Sequence, residues 1–265
     1  MRGPRIALRL AQLGAALAGA ALGLAILRRD GPESIHRLSR RLLRILAVRL
    51  TVTGAVPTGG LLVCNHLGYL DVLVLAATGP VTFVAKSEVR SWPVFGWFAR
   101  RAGTVFVERR RTASLVGSAR QVSVALRAER RVVLFPEGTS SGGETVLPFK
   151  SALLEAARHQ PIWTAAIAYA LEPGEGDPAE AVCYWRDMSL PSHLLRLLGR
   201  RRIFATLAFA PPAPGATDRK ALALDLHRRV GELKARAERA LPAGETLPLR
   251  RARPTKGATA PARPM

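Results

Sequence analysis

Three apolar runs in this chain end in the same way, and that recurrence limits the fold more than any other feature. LLV gives way to Cys64-Asn65-His66, TVFV to Glu108-Arg109-Arg110, and VVLF to Pro136-Glu137-Gly138-Thr139. A short, continuously apolar run that stops at polar or charged residues is the pattern of a buried strand opening onto a surface at its carboxyl end. Runs of this kind lie at Val48–Thr53, Leu61–Cys64, Val81–Ala85, Thr104–Val107, Arg131–Phe135, Ile162–Ala170, Ala181–Trp185 and Ile203–Ala210. Amphipathic stretches separate them at Leu70–Ala77, Pro93–Arg101, Ala113–Ala128, Phe149–Arg158, Ser192–Leu198 and Asp218–Ala240. Strands alternating with helices predict a layered α/β domain around a mostly parallel sheet, with its sites gathered at the carboxyl ends of the strands.

That domain covers residues 48–240, and 265 residues are enough for one large core. Residues 241–265 hold five prolines and five basic residues without an apolar period, which reads as a disordered basic tail. Residues 1–47 form a third part. Leu10 to Leu27, LAQLGAALAGAALGLAIL, is broken only by Gln12 and flanked by Arg2, Arg5 and Arg9 on one side and Arg28 and Arg29 on the other. About 18 apolar residues is the lower limit for a membrane-spanning helix. A cleaved leader and an apolar helix packed on the domain are the other readings of this run. Ile35 to Leu50 follows as a basic amphipathic helix, with Ile35, Leu38, Leu42, Ile45, Leu46 and Leu50 at helical spacing and Arg37, Arg40, Arg41 and Arg44 between them. Such a helix suits an anionic bilayer surface, and a solvated charged face over a protein core would look similar. Positive charge is heavier after the apolar run than before it, which places the domain on the cytoplasmic side.

The formal net charge of +21 fits anionic partners, and only five of the 40 basic residues are lysine. Arginine binds phosphate bidentately and stacks on bases, so composition alone admits nucleic acid or anionic lipid. Aromatic residues at 6% argue against a platform for stacking single-stranded bases, and the amino-terminal helices favour lipid. Cys64 and Cys183 lie far apart without metal-ligand spacing, so no metal site is expected and a reduced, cytosolic face is.

Chemistry concentrates in three stretches. A histidine acting as general base needs one ring nitrogen free and the other donating to a fixed acceptor. His66 has such an acceptor within reach in Asp71, one turn into the following helix; a loop-capping histidine beside a surface aspartate has the same spacing. Cys64 completes an apolar strand and reads as core rather than nucleophile. In FPEGTSSGG (Phe135 to Gly143) the glycines and hydroxyls let backbone N–H groups approach an anion, as they also would in a plain turn. Lys86, Arg109 and Arg110 follow strand candidates and could hold a phosphate there.

Together these stretches resemble the glycerolipid acyltransferase family, which makes phosphatidic acid from lysophosphatidic acid. Its first motif stands as Asn65-His66-Leu67-Gly68-Tyr69-Leu70-Asp71, and its connector as Lys86-Ser87-Glu88 with Pro93-Val94-Phe95-Gly96-Trp97. The second is Gly103 to Arg109, the third Phe135 to Thr139 followed by Pro148-Phe149-Lys150, and the fourth Gln160-Pro161-Ile162. The match runs from Leu61 to Ala170 in the family's order. It implies that His66 takes the proton from an acceptor hydroxyl that attacks a thioester, with Asp71 orienting it. It implies a substrate site at Asn65, Lys86, Arg109, Glu137, Gly138 and Thr139. It further implies acyl-CoA or acyl carrier protein as donor, no other cofactor, no metal, membrane lipids and a lysophospholipid acceptor as partners, and no nucleic acid. The catalytic domain would sit at the cytoplasmic side of the cell inner membrane. The first expectation for the acceptor is 1-acyl-sn-glycerol-3-phosphate. Family enzymes acting on that lipid commonly have arginine after F-P-E-G-T, where this chain has Ser140. Phe135 to Leu153, and Cys183 to Met188 with His193, are more similar to the branch acylating lyso-ornithine lipid, which is the alternative acceptor. A basic nucleic-acid-binding protein is the alternative of another class, and it rests on charge alone.

Overall fold

A computed structural model describes residues 2–25, 31–107, 121–128, 130–157, 160–216 and 218–241. Seven strands form one sheet: β1 (Val48–Thr53), β2 (Gly60–Cys64), β3 (Thr82–Lys86), β4 (Val105–Val107), β5 (Arg131–Leu134), β6 (Ile162–Leu171) and β7 (Ile203–Ala213). Their order is β1-β7-β6-β2-β5-β3-β4, and every neighbouring pair is parallel except β6 and β7. The helices are α1 (Gly3–Ala25), α2 (Gly31–Ile45), α3 (Leu70–Ala76), α4 (Phe95–Arg101), α5 (residues 121–127), α6 (Pro178–Ala181), α7 (Leu190–Leu198) and α8 (Arg219–Arg239).

The central strands are apolar on both faces because both faces are covered. In β2, Leu61 and Val63 join the layer formed with α5 and α8, while Leu62 and Cys64 join the layer holding α2 and α3. β5 repeats the division, with Val132 and Leu134 on one side and Val133, together with Phe135 just past its end, on the other. The expected mostly parallel α/β sheet is therefore the fold, with the apolar amino-terminal helix packed beside it.

Four expectations change. The apolar side of α2 does not face a bilayer: Ile35, Leu38, Leu42 and Leu43 are buried in the core, and the helix stops at Ile45. Ala47, at a positive φ of 55°, turns the chain into β1 before the predicted helix end at Leu50. Ala181–Trp185 is not a strand. Asp177 accepts the N–H of Ala179 and Pro178 follows it, so the segment opens as the short helix α6 and continues as a loop that buries Val182 and Cys183. The helix expected at Phe149–Arg158 is a 3₁₀ stretch over Ser151–Ala157. The first part of the predicted helix Ala113–Ala128, the Glu108-Arg109-Arg110 turn and nearly all of the basic tail lie outside the described residues.

α1 has the length and composition to cross a membrane. Yet Arg9 is buried, donating to the carbonyls of Leu198 at 2.8 Å and Arg200 at 2.6 Å, and Arg5 donates to that of Gly199 at 3.0 Å. These carbonyls sit at and just beyond the end of α7, where a helix leaves its last C=O groups without partners.

Candidate active site

Parallel pairing brings the carboxyl ends of β2, β5, β3 and β4 to one edge of the sheet. Residues 65 and 66 leave β2 there, residues 135–139 leave β5, and Lys86 ends β3.

The exit from β2 is held by Asn65. Its side-chain Oδ1 accepts from Ile167 N–H at 2.8 Å, its Nδ2 donates to Ile167 C=O at 3.0 Å, and the residue is 1% exposed. The β2–β6 backbone ladder ends at Cys64 opposite Ala165, and the amide stands in for the next backbone pair. Both of its polar groups are thus engaged by β6, and they fix where His66 begins.

His66 lies on the exposed side of that anchor, with its ring stacked on Phe135 at a centroid separation of 4.1 Å. Its Nδ1–H donates to Asp71 Oδ2 at 2.8 Å. The same oxygen accepts the backbone N–H groups of Leu67 at 2.6 Å and Gly68 at 2.9 Å, and Oδ1 accepts the Tyr169 hydroxyl at 2.7 Å. Asp71 is wholly buried in the first turn of α3, and four donors offset the cost of removing its charge from water. With Nδ1 committed as donor, Nε2 of the partly exposed His66 carries the free lone pair.

Glu137 is a second anchor of the same loop. It is 2% exposed; Oε1 accepts His66 N–H at 2.7 Å and Oε2 accepts Leu147 N–H at 2.8 Å. Burial pushes its carboxyl up to about 7, while those two N–H bonds pull the other way. Glu137 thus clamps the backbone of His66. Gly138 is buried at a φ of +75°, a conformation that suits glycine, and donates to Phe135 C=O at 3.1 Å. Thr139 and Lys86 are exposed at this edge. Arg109 lies outside the described residues. Ser140 donates its hydroxyl to Tyr184 C=O at 2.6 Å, and Ser141 N–H bonds His66 C=O at 3.0 Å.

Two participants were not singled out from sequence as site residues. Tyr169 stands as the one hydroxyl-bearing aromatic in an Ala- and Ile-rich strand, on the same side as Ile167, and that polar tip was the available signal. Tyr184 gave no such signal, because its bonds to the two site loops run through its backbone. Burial pushes the Cys64 thiol well up and the Cys183 thiol up to about 12, which suits core residues and not nucleophiles. Among the described residues no group of three His, Cys, Asp or Glu side chains is placed to hold a metal.

A base with a free lone pair, oriented by a buried carboxylate and needing no side-chain nucleophile, can activate a substrate hydroxyl directly. The known proteins point the same way. Residues 48–170 match the acyltransferase family model. The chain is 39% identical to the lyso-ornithine lipid O-acyltransferase of Brucella abortus, over 78% of this chain and 82% of that one. It is 32% identical to the 1-acyl-sn-glycerol-3-phosphate acyltransferase of Neisseria meningitidis, over 73% and 78% of the two chains. The crystal structure of the 1-acyl-sn-glycerophosphate acyltransferase PlsC from Thermotoga maritima shares the fold, with a TM-score of 0.59 at 23% identity over 89% of this chain and 98% of that one. From its strand-end histidine to its relatives on both sides of the acceptor divide, the chain belongs to the acyltransferase family.

Proposed function

We propose that this enzyme transfers a fatty acyl group from a thioester, acyl-CoA or acyl carrier protein, to the free hydroxyl of a lysolipid, with lyso-ornithine lipid as its acceptor. The His66–Asp71 pair carries the reading, since it leaves one ring nitrogen free on the exposed side of the sheet edge. His66 Nε2 takes the hydroxyl proton as the oxygen attacks the thioester carbonyl. The C–O bond forms, the C–S bond breaks, and the proton passes from His66 to the departing sulfur. Asp71 holds the ring and stabilises its transient positive charge. The 39% identity to a lyso-ornithine lipid enzyme supports that acceptor. Lysophosphatidate is the second reading, favoured by the Neisseria relative, and Lys86, Thr139 and Arg109 are the residues proposed to face either headgroup.

We further propose that α1 lies flat on the membrane and does not cross it, with exposed Leu8, Leu10 and Leu22 in the lipid and the domain on the cytoplasmic side. The basic row of α2, including Arg37, Arg41 and Arg44, adds attraction to anionic headgroups.

Purified protein in detergent, offered labelled acyl-CoA or acyl carrier protein with each lysolipid, tests the function. Transfer is expected to lyso-ornithine lipid, and to fall by at least about a thousandfold in His66→Ala. Absence of transfer to both lipids would overturn the function, and an active His66→Ala variant the mechanism.

A further inference from the structure

The loop between α6 and α7 grips both loops of the site, and the proposed mechanism makes no use of it. Tyr184 N–H donates to Leu67 C=O at 2.8 Å, next to His66, and Tyr184 C=O accepts the Ser140 hydroxyl just past Glu137. The approach is so close that a Cβ on Gly68 would come within 2.8 Å of Tyr184 N. Trp185 follows. Its indole N–H bonds Ala179 C=O at 3.0 Å, and its ring lies where a Cβ on Gly142 would meet it at 2.7 Å. The indole is therefore wedged between α6 and the Ser140–Gly143 loop.

On this platform rests Arg186. Its guanidinium carbon lies 3.7 Å from the centroid of the Trp185 ring. The residue is exposed, and no carboxylate among the described residues pairs with it. Its φ of +53° is a left-handed conformation that a side chain with a Cβ seldom takes. Strain of this kind persists where the surroundings over-determine it, and it gathers at binding sites. Here the surroundings are the two pinned groups of Tyr184 and the wedged indole. Stacking occupies the face of the guanidinium and leaves its edge N–H groups free, in the fork that matches a carboxylate or a phosphate.

We infer that Arg186, braced on Trp185, grips the anionic headgroup of the lysolipid acceptor. The inference rests on the acyltransferase reading above and adds a residue to it. The anion is the carboxylate of lyso-ornithine lipid or the phosphate of lysophosphatidate; both present two or more oxygens to the same fork. Ser140 serves this group indirectly, by holding the backbone two residues before it.

Arg186→Gly is the informative variant, because glycine adopts the observed φ freely and the fold should survive. Steady-state kinetics would be measured with both acceptors, in wild type, Arg186→Gly and Arg186→Lys, together with thermal midpoints. In Arg186→Gly the midpoint should equal or exceed that of wild type. The KM for the acceptor should rise by about 10- to 100-fold, the loss of a charge-assisted bidentate bond. kcat and the KM for the acyl donor should stay near wild type. Arg186→Lys should recover part of the loss, since it keeps the charge without the fork. The acceptor whose KM moves most identifies the anion. An unchanged acceptor KM in Arg186→Gly, or a lower kcat with KM unaltered, overturns the inference and leaves the acyltransferase reading standing. A wild-type enzyme inactive on both lipids removes that reading and the inference with it.

Discussion

Asp71 and Glu137 are both buried carboxylates beside His66, and they are expected to fail differently when changed. Asp71 meets the imidazole, so Asp71→Asn keeps the volume and removes the charge that steadies a protonated ring. kcat should fall by about a thousandfold or more with little change in the acceptor KM. Tyr169→Phe leaves one Asp71 oxygen without its donor and should cost about 1–2 kcal/mol of stability, read from denaturant midpoints, with a milder loss of kcat. A Tyr169→Phe protein as stable as wild type would show that this bond contributes nothing. Glu137 acts through pH instead. Its carboxyl titrates near 7 in the fold against an ordinary 4.5, so losing the proton is harder in the folded chain than in the unfolded one. Its contribution to stability is therefore greatest in acid, falls as pH rises from about 4.5 to about 7, and is level above that. The fall is on the order of 3 kcal/mol. Stability curves of wild type and Glu137→Gln, measured across that interval, should differ by this slope; parallel curves would count against it.

At the scale of the elements, β2 depends on a side chain to end correctly. Asn65→Ala would leave both backbone groups of Ile167 buried without partners and should cost about 2–4 kcal/mol. Activity should fall too, because the start of the His66 loop is no longer fixed; a variant of unchanged stability would rule out the anchoring role. Asn65 also shows what the sequence could and could not disclose. A buried strand has to stop where its residues turn polar, so the end of β2 at Cys64, the end of β5 to within one residue of Phe135, and the pairing of His66 with Asp71 five residues on were legible from neighbouring residues. The partner of Asn65 lies 102 residues away, and nothing local announces it. The same holds for the order of the strands and for the antiparallel pairing of β6 with β7, which are set by tertiary packing. The leucine stripe of α2 reads alike whether protein or lipid covers it, and only packing reveals that α3 and the sheet do so. AVCYW suited a strand by side-chain type, and the decisive signal was the Asp177-Pro178 cap just before it.

For the whole molecule, the question is how a domain with one long apolar helix meets a bilayer. α1 has 23 residues and is thus roughly 35 Å long, against a hydrocarbon layer of ~30 Å. Length alone would let it cross. Its contacts would not, because one folded domain touches both of its ends. Arg5 and Arg9 in the first turns bond carbonyls at residues 198–200, and at the other end Leu24 C=O accepts from Arg101 at 3.2 Å. A crossing helix would put those ends on opposite sides of the membrane, and the domain cannot be on both. A flat α1 also keeps the sheet edge with His66 on the same side of the membrane as the rest of the domain. Single cysteines at Gly3 and Ala25 test this with a membrane-impermeant thiol reagent, since the native Cys64 and Cys183 are buried and should react little. In sealed vesicles of known orientation both sites should label from the side that bears the catalytic domain. Labelling of either site only from the opposite side would mean that α1 crosses, and that the arginine contacts to the end of α7 are broken in the membrane.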